Sequence, residues 1–147
     1  MKPRIPHDCW VFACDGGRAL VIRNAGDAER LNFITMDSIV NFEPPTRMMG
    51  SDREGRVHQS AGSARSKVEQ TDWHEQAEER FVANIAGKLS ALARDEDIKN
   101  LVLVAPPRVL GQLRRQLDPR ARSVVTAELA KDLVKFEVAD IERYFSN

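Results

Sequence analysis

The chain of 147 residues predicts an α/β fold on a mixed five-stranded sheet: three antiparallel strands, then a β-α-β unit with parallel strands, with helices covering the sheet. Three observations carry this expectation. Two short apolar runs, Cys9-Trp10-Val11-Phe12-Ala13-Cys14 and Leu101-Val102-Leu103-Val104-Ala105, have the pattern of strands buried on both faces. Asp15-Gly16-Gly17 and Asn24-Ala25-Gly26-Asp27 are turn signals that fold the opening segments back on themselves. Segments of helical periodicity separate the later strands, and a helical crossover is what parallel neighbours need.

Taken in order, the Cys9 run is the first strand. The glycines after Asp15 supply a turn because they accept positive φ without steric cost. Ala19 to Ile22 returns as the second strand, and residues 31–40 extend as a third, with Leu31 and Phe33 alternating against Asn32. Residues 44–72 have almost no apolar period and mix Gly, Ser, Arg and acid, so they read as a long flexible loop. Asp72 is a good N-cap with Glu75 at N3, which places a helix start there. Trp73, Ala77, Phe81, Ile85, Leu89 and Leu92 then make one apolar stripe at spacings of four and three. Gly87 within it costs about 1 kcal/mol relative to Ala. The Leu101 run is the fourth strand, stopped by Pro106-Pro107, and Pro107 suits the first turn of a second helix. Leu110, Leu113 and Leu117 are its buried stripe, ended by Asp118-Pro119. Ser123 to Leu129 reads as the last strand, and Val138 to Phe145 as a terminal helix with Val138, Ile141 and Phe145 inward. Right-handed crossovers place the Leu101 strand beside the Cys9 strand, an RNase H-like pattern.

The length is that of a single domain spanning 1–147. A hydrophobic content of 42% and a charged content of 30% are those of a soluble globular protein. The formal net charge is zero, which excludes a uniformly basic nucleic-acid binder; any basic patch must be local and offset by acid elsewhere. The first residues lack the apolar core of a signal peptide and no apolar run has membrane-spanning length, so a cytoplasmic location is expected. Cys9 and Cys14 are separated by an odd number of strand positions and point to opposite faces. That argues against a mutual disulfide and a shared metal, and both read as small buried hydrophobes.

Two groups of cations point to an anionic partner. In the 44–72 loop these are Arg56, His58, Arg65 and Lys67; in the later helix they are Arg108, Arg114 and Arg115, followed by Arg120 and Arg122. Guanidinium groups present bidentate donors suited to phosphate, and Arg108 lies near a helix start, where free N–H groups favour anions. The plainer reading is a mobile loop and a solvated helix face balancing acids elsewhere. Asp15, Arg18, His74 and Glu78 are candidates for a crevice beside the first hairpin. Asp15 reads as well as a turn residue, and His74 with Glu78, spaced i, i+4, as a surface pair. A two-metal nuclease needs several carboxylates converging on ions about 4 Å apart. Pro106-Pro107-Arg108 stands where a further acid is required. No nucleophile elbow, Walker loop or dinucleotide fingerprint occurs, and no cofactor or metal is implied.

Several motifs together resemble the bacterial host-attachment protein family. They are Trp10-Val11-Phe12-Ala13 with Asp15-Gly16-Gly17-Arg18-Ala19, then Gly55-Arg56, Ser63-Ala64-Arg65 and Thr71-Asp72 through His74-Glu75. Later come Ala105-Pro106-Pro107-Arg108, Leu110-Gly111, Leu113-Arg114, Glu128-Leu129 and Lys131-Asp132-Leu133. Trp73 stands where members often have proline. The resemblance implies a fold similar to the middle domain of archaeal and eukaryotic class I release factors. Those factors carry Gly-Gly-Gln in the corresponding loop, which here has Gln59 and Gly62 without that motif, so a hydrolytic role is not implied. The expectation is a non-enzymatic binding module docking on RNA or a ribonucleoprotein such as the ribosome through its Arg-rich loop. The alternatives are a protein-interaction or surface-attachment factor, and a hydrolase of an ester or phosphodiester.

Overall fold

A computed structural model describes residues 2–41 and 63–146, with side chains for 2–41 and 74–146. The elements are β1 (Trp10–Cys14), β2 (Arg18–Asn24), β3 (Phe33–Val40), α1 (Ser63–Asp95), β4 (Leu101–Val104), α2 (Pro107–Gln116), α3 (Pro119–Ser123), β5 (Val125–Leu129) and α4 (Val138–Phe145). They form a five-stranded sheet ordered β3-β2-β1-β4-β5. β1 pairs antiparallel with β2, and β2 with β3. β4 runs parallel to both β1 and β5. The mixed sheet and the adjacency of β1 and β4 are those read from the sequence.

The apolar runs are central because both faces of β1 and β4 are covered. Trp10, Phe12 and Cys14 point to one face, with Leu101 and Leu103, and meet Phe81, Ile85 and Leu89 of α1 and Leu110 and Leu113 of α2. Cys9, Val11 and Ala13 point to the other, with Val102 and Val104, beneath Ile5, Leu133, Ile141 and Phe145. Both cysteines are buried free thiols on opposite sides of the sheet. Burial pushes Cys9 up to about 11 and Cys14 to about 12, because a thiolate in an apolar layer loses its hydration.

One buried polar residue closes the sheet's lower end. Asn24 donates its amide N–H groups to the carbonyls of Ile5 (3.0 Å), Pro6 (3.2 Å) and Asp27 (3.3 Å). Its Oδ1 accepts from the N–H groups of Gly26 (3.0 Å) and Asn32 (2.9 Å). It thus joins the N-terminal strap to the β2–β3 connection.

The structure departs from the sequence reading at several boundaries. α1 begins at Ser63 rather than Asp72, so Asp72, Trp73 and Glu75 lie inside the helix and the expected cap is an interior pair. The nine residues before Asp72 contain no Gly or Pro and include several strong helix formers, which extends the helix backwards. Of the expected 44–72 loop, residues 44–62 lie outside the described residues. Asp118-Pro119 does more than end a helix: Asp118 caps α3, its carboxylate accepting from the Ala121 N–H at 2.8 Å, with Pro119 at the first helical position. β3 starts at Phe33, and its pairing slips by one residue between Val21 and Ile22. No described glycine has positive φ, so Gly16 of the first hairpin serves a different purpose, given below.

Candidate functional site

β1, β4 and β5 are parallel, and their carboxyl ends open on a common cleft of about 470 Å³. Crevices at such strand ends are the usual ligand positions in open α/β sheets. The β1–β2 turn supplies Asp15, Gly16, Gly17 and Arg18; α1 supplies Glu78; the start of α2 supplies Pro106, Arg108 and Val109. Val40, at the end of β3, and Asp132 and Lys135, after β5, complete the wall.

The turn is tight. The Asp15 N–H donates to the Arg18 carbonyl at 2.9 Å, and the Asp15 carboxylate accepts the Gly17 N–H at 2.9 Å. Asp15 is therefore engaged in holding the turn, as its plainer reading expected. A Cβ built on Gly16 would lie 2.5 Å from Glu78 Cγ and 2.6 Å from Glu78 Oε2. Glu78 comes this close because Gly16 has no Cβ, and no backbone angle calls for the glycine. Across the cleft, Arg108 Nη1 stands 4.0 Å from Glu78 Oε1, and Lys135 Nζ stands 3.8 Å from Asp132 Oδ2.

Four sequence candidates, Asp15, Arg18, Glu78 and Arg108, are thus brought to one cleft. His74 is exposed on α1 and does not line it. Glu78 turns to Gly16 and Arg108, and no ion pair with His74 is present among the described residues. Asp132 and Lys135 were not singled out as site residues. Asp132 belonged to a quoted motif after the last strand, but nothing local in the sequence brings that segment to the β1 turn.

The later cations divide into two kinds. Arg114 forms a two-point pair with Glu128, its Nε donating to Oε2 at 3.0 Å. This raises the Arg114 pKa and holds the Glu128 carboxyl below its usual range. Arg120 donates to Asp97 at 3.1 Å, and this hydrogen bond leads the lowering of the Asp97 pKa. Arg115 and Arg122 are exposed and make no ion pair among the described residues. Arg65 and Lys67 fall on the first two turns of α1, with side chains outside the described set; Arg56 and His58 lie outside it altogether. No group of three His, Cys, Asp or Glu is placed to hold a metal among the described residues.

A family model described as "Bacterial archaeo-eukaryotic release factor family 12" matches residues 8–145. The chain is 39% identical over 51 residues to "Uncharacterized protein RP470" of Rickettsia prowazekii (strain Madrid E), a stretch covering 35% of this chain and 34% of that protein. The match therefore spans about a third of that relative's length. Among solved structures, an archaeal translation termination factor, aRF1, aligns with a TM-score of 0.46 at 13% identity, over 86% of this chain and 31% of that one. The ethanolamine utilization protein EutJ from Carboxydothermus hydrogenoformans aligns with a TM-score of 0.41 at 9% identity, over 87% of this chain and 46% of that one.

Proposed function

Because the chain belongs to bacterial archaeo-eukaryotic release factor family 12, we propose that it is a non-enzymatic binding module of translation, docking on RNA or a ribonucleoprotein such as the ribosome. The observation that carries this reading is the pair of exposed guanidiniums of Arg115 and Arg122, which make no ion pair among the described residues. In a chain of zero net charge, cations left without acids can act only as local positive sites, not through a general field. Arg65 and Lys67, on the opening turns of α1, and Arg56 before it add further donors of the same chemistry. No helix among the described residues is long and apolar enough to cross a membrane. A cytoplasmic site of action fits the proposed ribosomal partner.

Each phosphate neutralised on docking releases counterions, so affinity should fall steeply with salt. Binding to purified ribosomal RNA over a salt series tests this. Replacing Arg115 and Arg122 by Ala should reduce the salt slope by about 0.7 per lost contact on single strands. The Arg56 and Arg65 double variant should do the same. No binding by the wild type at low salt refutes the reading.

A second reading, a protein-interaction or surface-attachment role, is favoured by the β3 edge. There Ile34 is 40% and Met36 43% exposed on a strand that, among the described residues, is paired on one side only, a template for strand addition.

A further inference from the structure

We infer that the cleft at the carboxyl ends of β1, β4 and β5 binds a small dianionic phosphate group, and that Glu78 is the internal anion which this ligand displaces. The inference goes beyond the docking reading and does not depend on it.

The cleft's three cations, Arg18, Arg108 and Lys135, equal its three carboxylates in number, but they are not all closely paired. Arg18, from the start of β2, and Arg108, from the first turn of α2, both line it. Arg18 makes no ion pair among the described residues. Arg108 meets Glu78 at 4.0 Å, beyond hydrogen-bond length. The other two carboxylates of the cleft have other neighbours: Asp15 accepts the Gly17 N–H, and Asp132 stands 3.8 Å from Lys135 on the far wall. Among the described residues, Glu78 is therefore the carboxylate that stands between the hairpin turn and Arg108. It lies there because Gly16 has no Cβ to exclude it. Among the described residues no hydrogen bond fixes its carboxylate, so it can swing out at small cost.

Competition with Glu78 sets the ligand's chemistry. A carboxylate ligand would offer Arg108 only what Glu78 already offers without loss of translational freedom. A displacing ligand must bring a second charge, and Arg18 is the cation available to receive it. A phosphate monoester carries between about −1.5 and −2 near neutral pH and three strong acceptor oxygens. Guanidinium groups bind such oxygens in pairs.

The test uses the whole chain, without RNA, and inorganic phosphate as the probe at about pH 8, where it is mostly dianionic. Thermal unfolding midpoints are read against phosphate concentration at constant ionic strength, with acetate as the monoanion control. The wild type should be stabilised by phosphate and not by acetate, following mass action. Glu78→Gln keeps the side chain's size and removes its charge. It should tighten phosphate about tenfold, the factor expected if Glu78 blocks the site nine-tenths of the time. Arg108→Gln, at a half-exposed position, should leave the ligand-free midpoint in place and remove the phosphate shift. Equal shifts with phosphate and acetate in both wild type and Glu78→Gln overturn the inference. So does an unchanged phosphate affinity in Glu78→Gln, or a phosphate shift that survives Arg108→Gln. None of these outcomes decides RNA docking, which is tested separately with Arg56, Arg65, Arg115 and Arg122.

Discussion

Replacing Asn24 by Ala should be among the most costly single polar changes in this protein. Asn24 is 0% exposed, and its side chain makes five hydrogen bonds to backbone groups of Ile5, Pro6, Gly26, Asp27 and Asn32. A buried hydrogen bond contributes about 1 kcal/mol, and an orphaned buried partner costs about 1–3 kcal/mol. Four of the five lie where water can reach a partner after truncation, so the full sum is not expected. The loss should be roughly 3 kcal/mol. With a urea slope of about 2 kcal/mol per molar, the unfolding midpoint then falls by about 1.5 M. The control is Asn32→Ala: Asn24 uses only the backbone N–H of that exposed residue, so the loss should stay below about 0.5 kcal/mol, a midpoint shift of less than about 0.25 M. A loss below about 1 kcal/mol in Asn24→Ala, with unchanged slope, would show that the strap and the β2–β3 connection are not held through this side chain.

Ile85 is fully buried in the α1 stripe, and Ile85→Ala should cost about 2–5 kcal/mol by denaturant midpoint; no change would mean that α1 is not packed as described. Cys9 and Cys14 should resist thiol reagents in the native protein and both react after denaturation. Their folded-state pKa values are raised, to about 11 and about 12. The stability they favour is therefore complete below the unfolded thiol pKa of about 8.5 and is lost progressively as pH rises towards those folded values. Native reactivity near neutral pH contradicts this. Gly16→Ala forces a Cβ to within 2.5 Å of Glu78, so its cost should shrink when Glu78→Ala is added. A coupling at the low end of the usual range, about 0.5 kcal/mol, is expected from the double-mutant cycle because Glu78 can move aside, and strict additivity would separate the two residues.

The parts of the fold that were legible in the sequence are those fixed by periodicity. Phe81, Ile85 and Leu89 recur at helical spacing and are buried on one side of the sheet. The odd spacing of Cys9 and Cys14 put them on opposite faces, as found. Boundaries were less legible, because local signals compete: Asp72 and Glu75 match a capping pattern, yet the helix formers before them carry α1 back to Ser63. The hairpin glycines were recognised, but for the wrong property. What Gly16 provides is space for Glu78, a contact between residues far apart in sequence. The same limit applies to the site. Asp15, Arg18, Glu78 and Arg108 could be chosen by type and by position at strand or helix ends. Asp132 and Lys135 join them only because β5 lies parallel to β4 and delivers the following segment to the same edge. Nor does sequence separate Arg114, locked to Glu128 on the neighbouring strand, from Arg115, which is exposed.

The central claim is that this family member docks on the ribosome through phosphate contacts. Its most direct test is sedimentation of the purified protein with bacterial ribosomes, at about 50 mM and about 200 mM monovalent salt, a range over which several phosphate contacts change affinity by orders of magnitude. The account predicts that the protein pellets with ribosomes at the lower salt and stays in the supernatant at the higher, and that the Arg115→Ala, Arg122→Ala double variant pellets less at the lower. Protein that remains in the supernatant at both salts, while folded by circular dichroism, contradicts it.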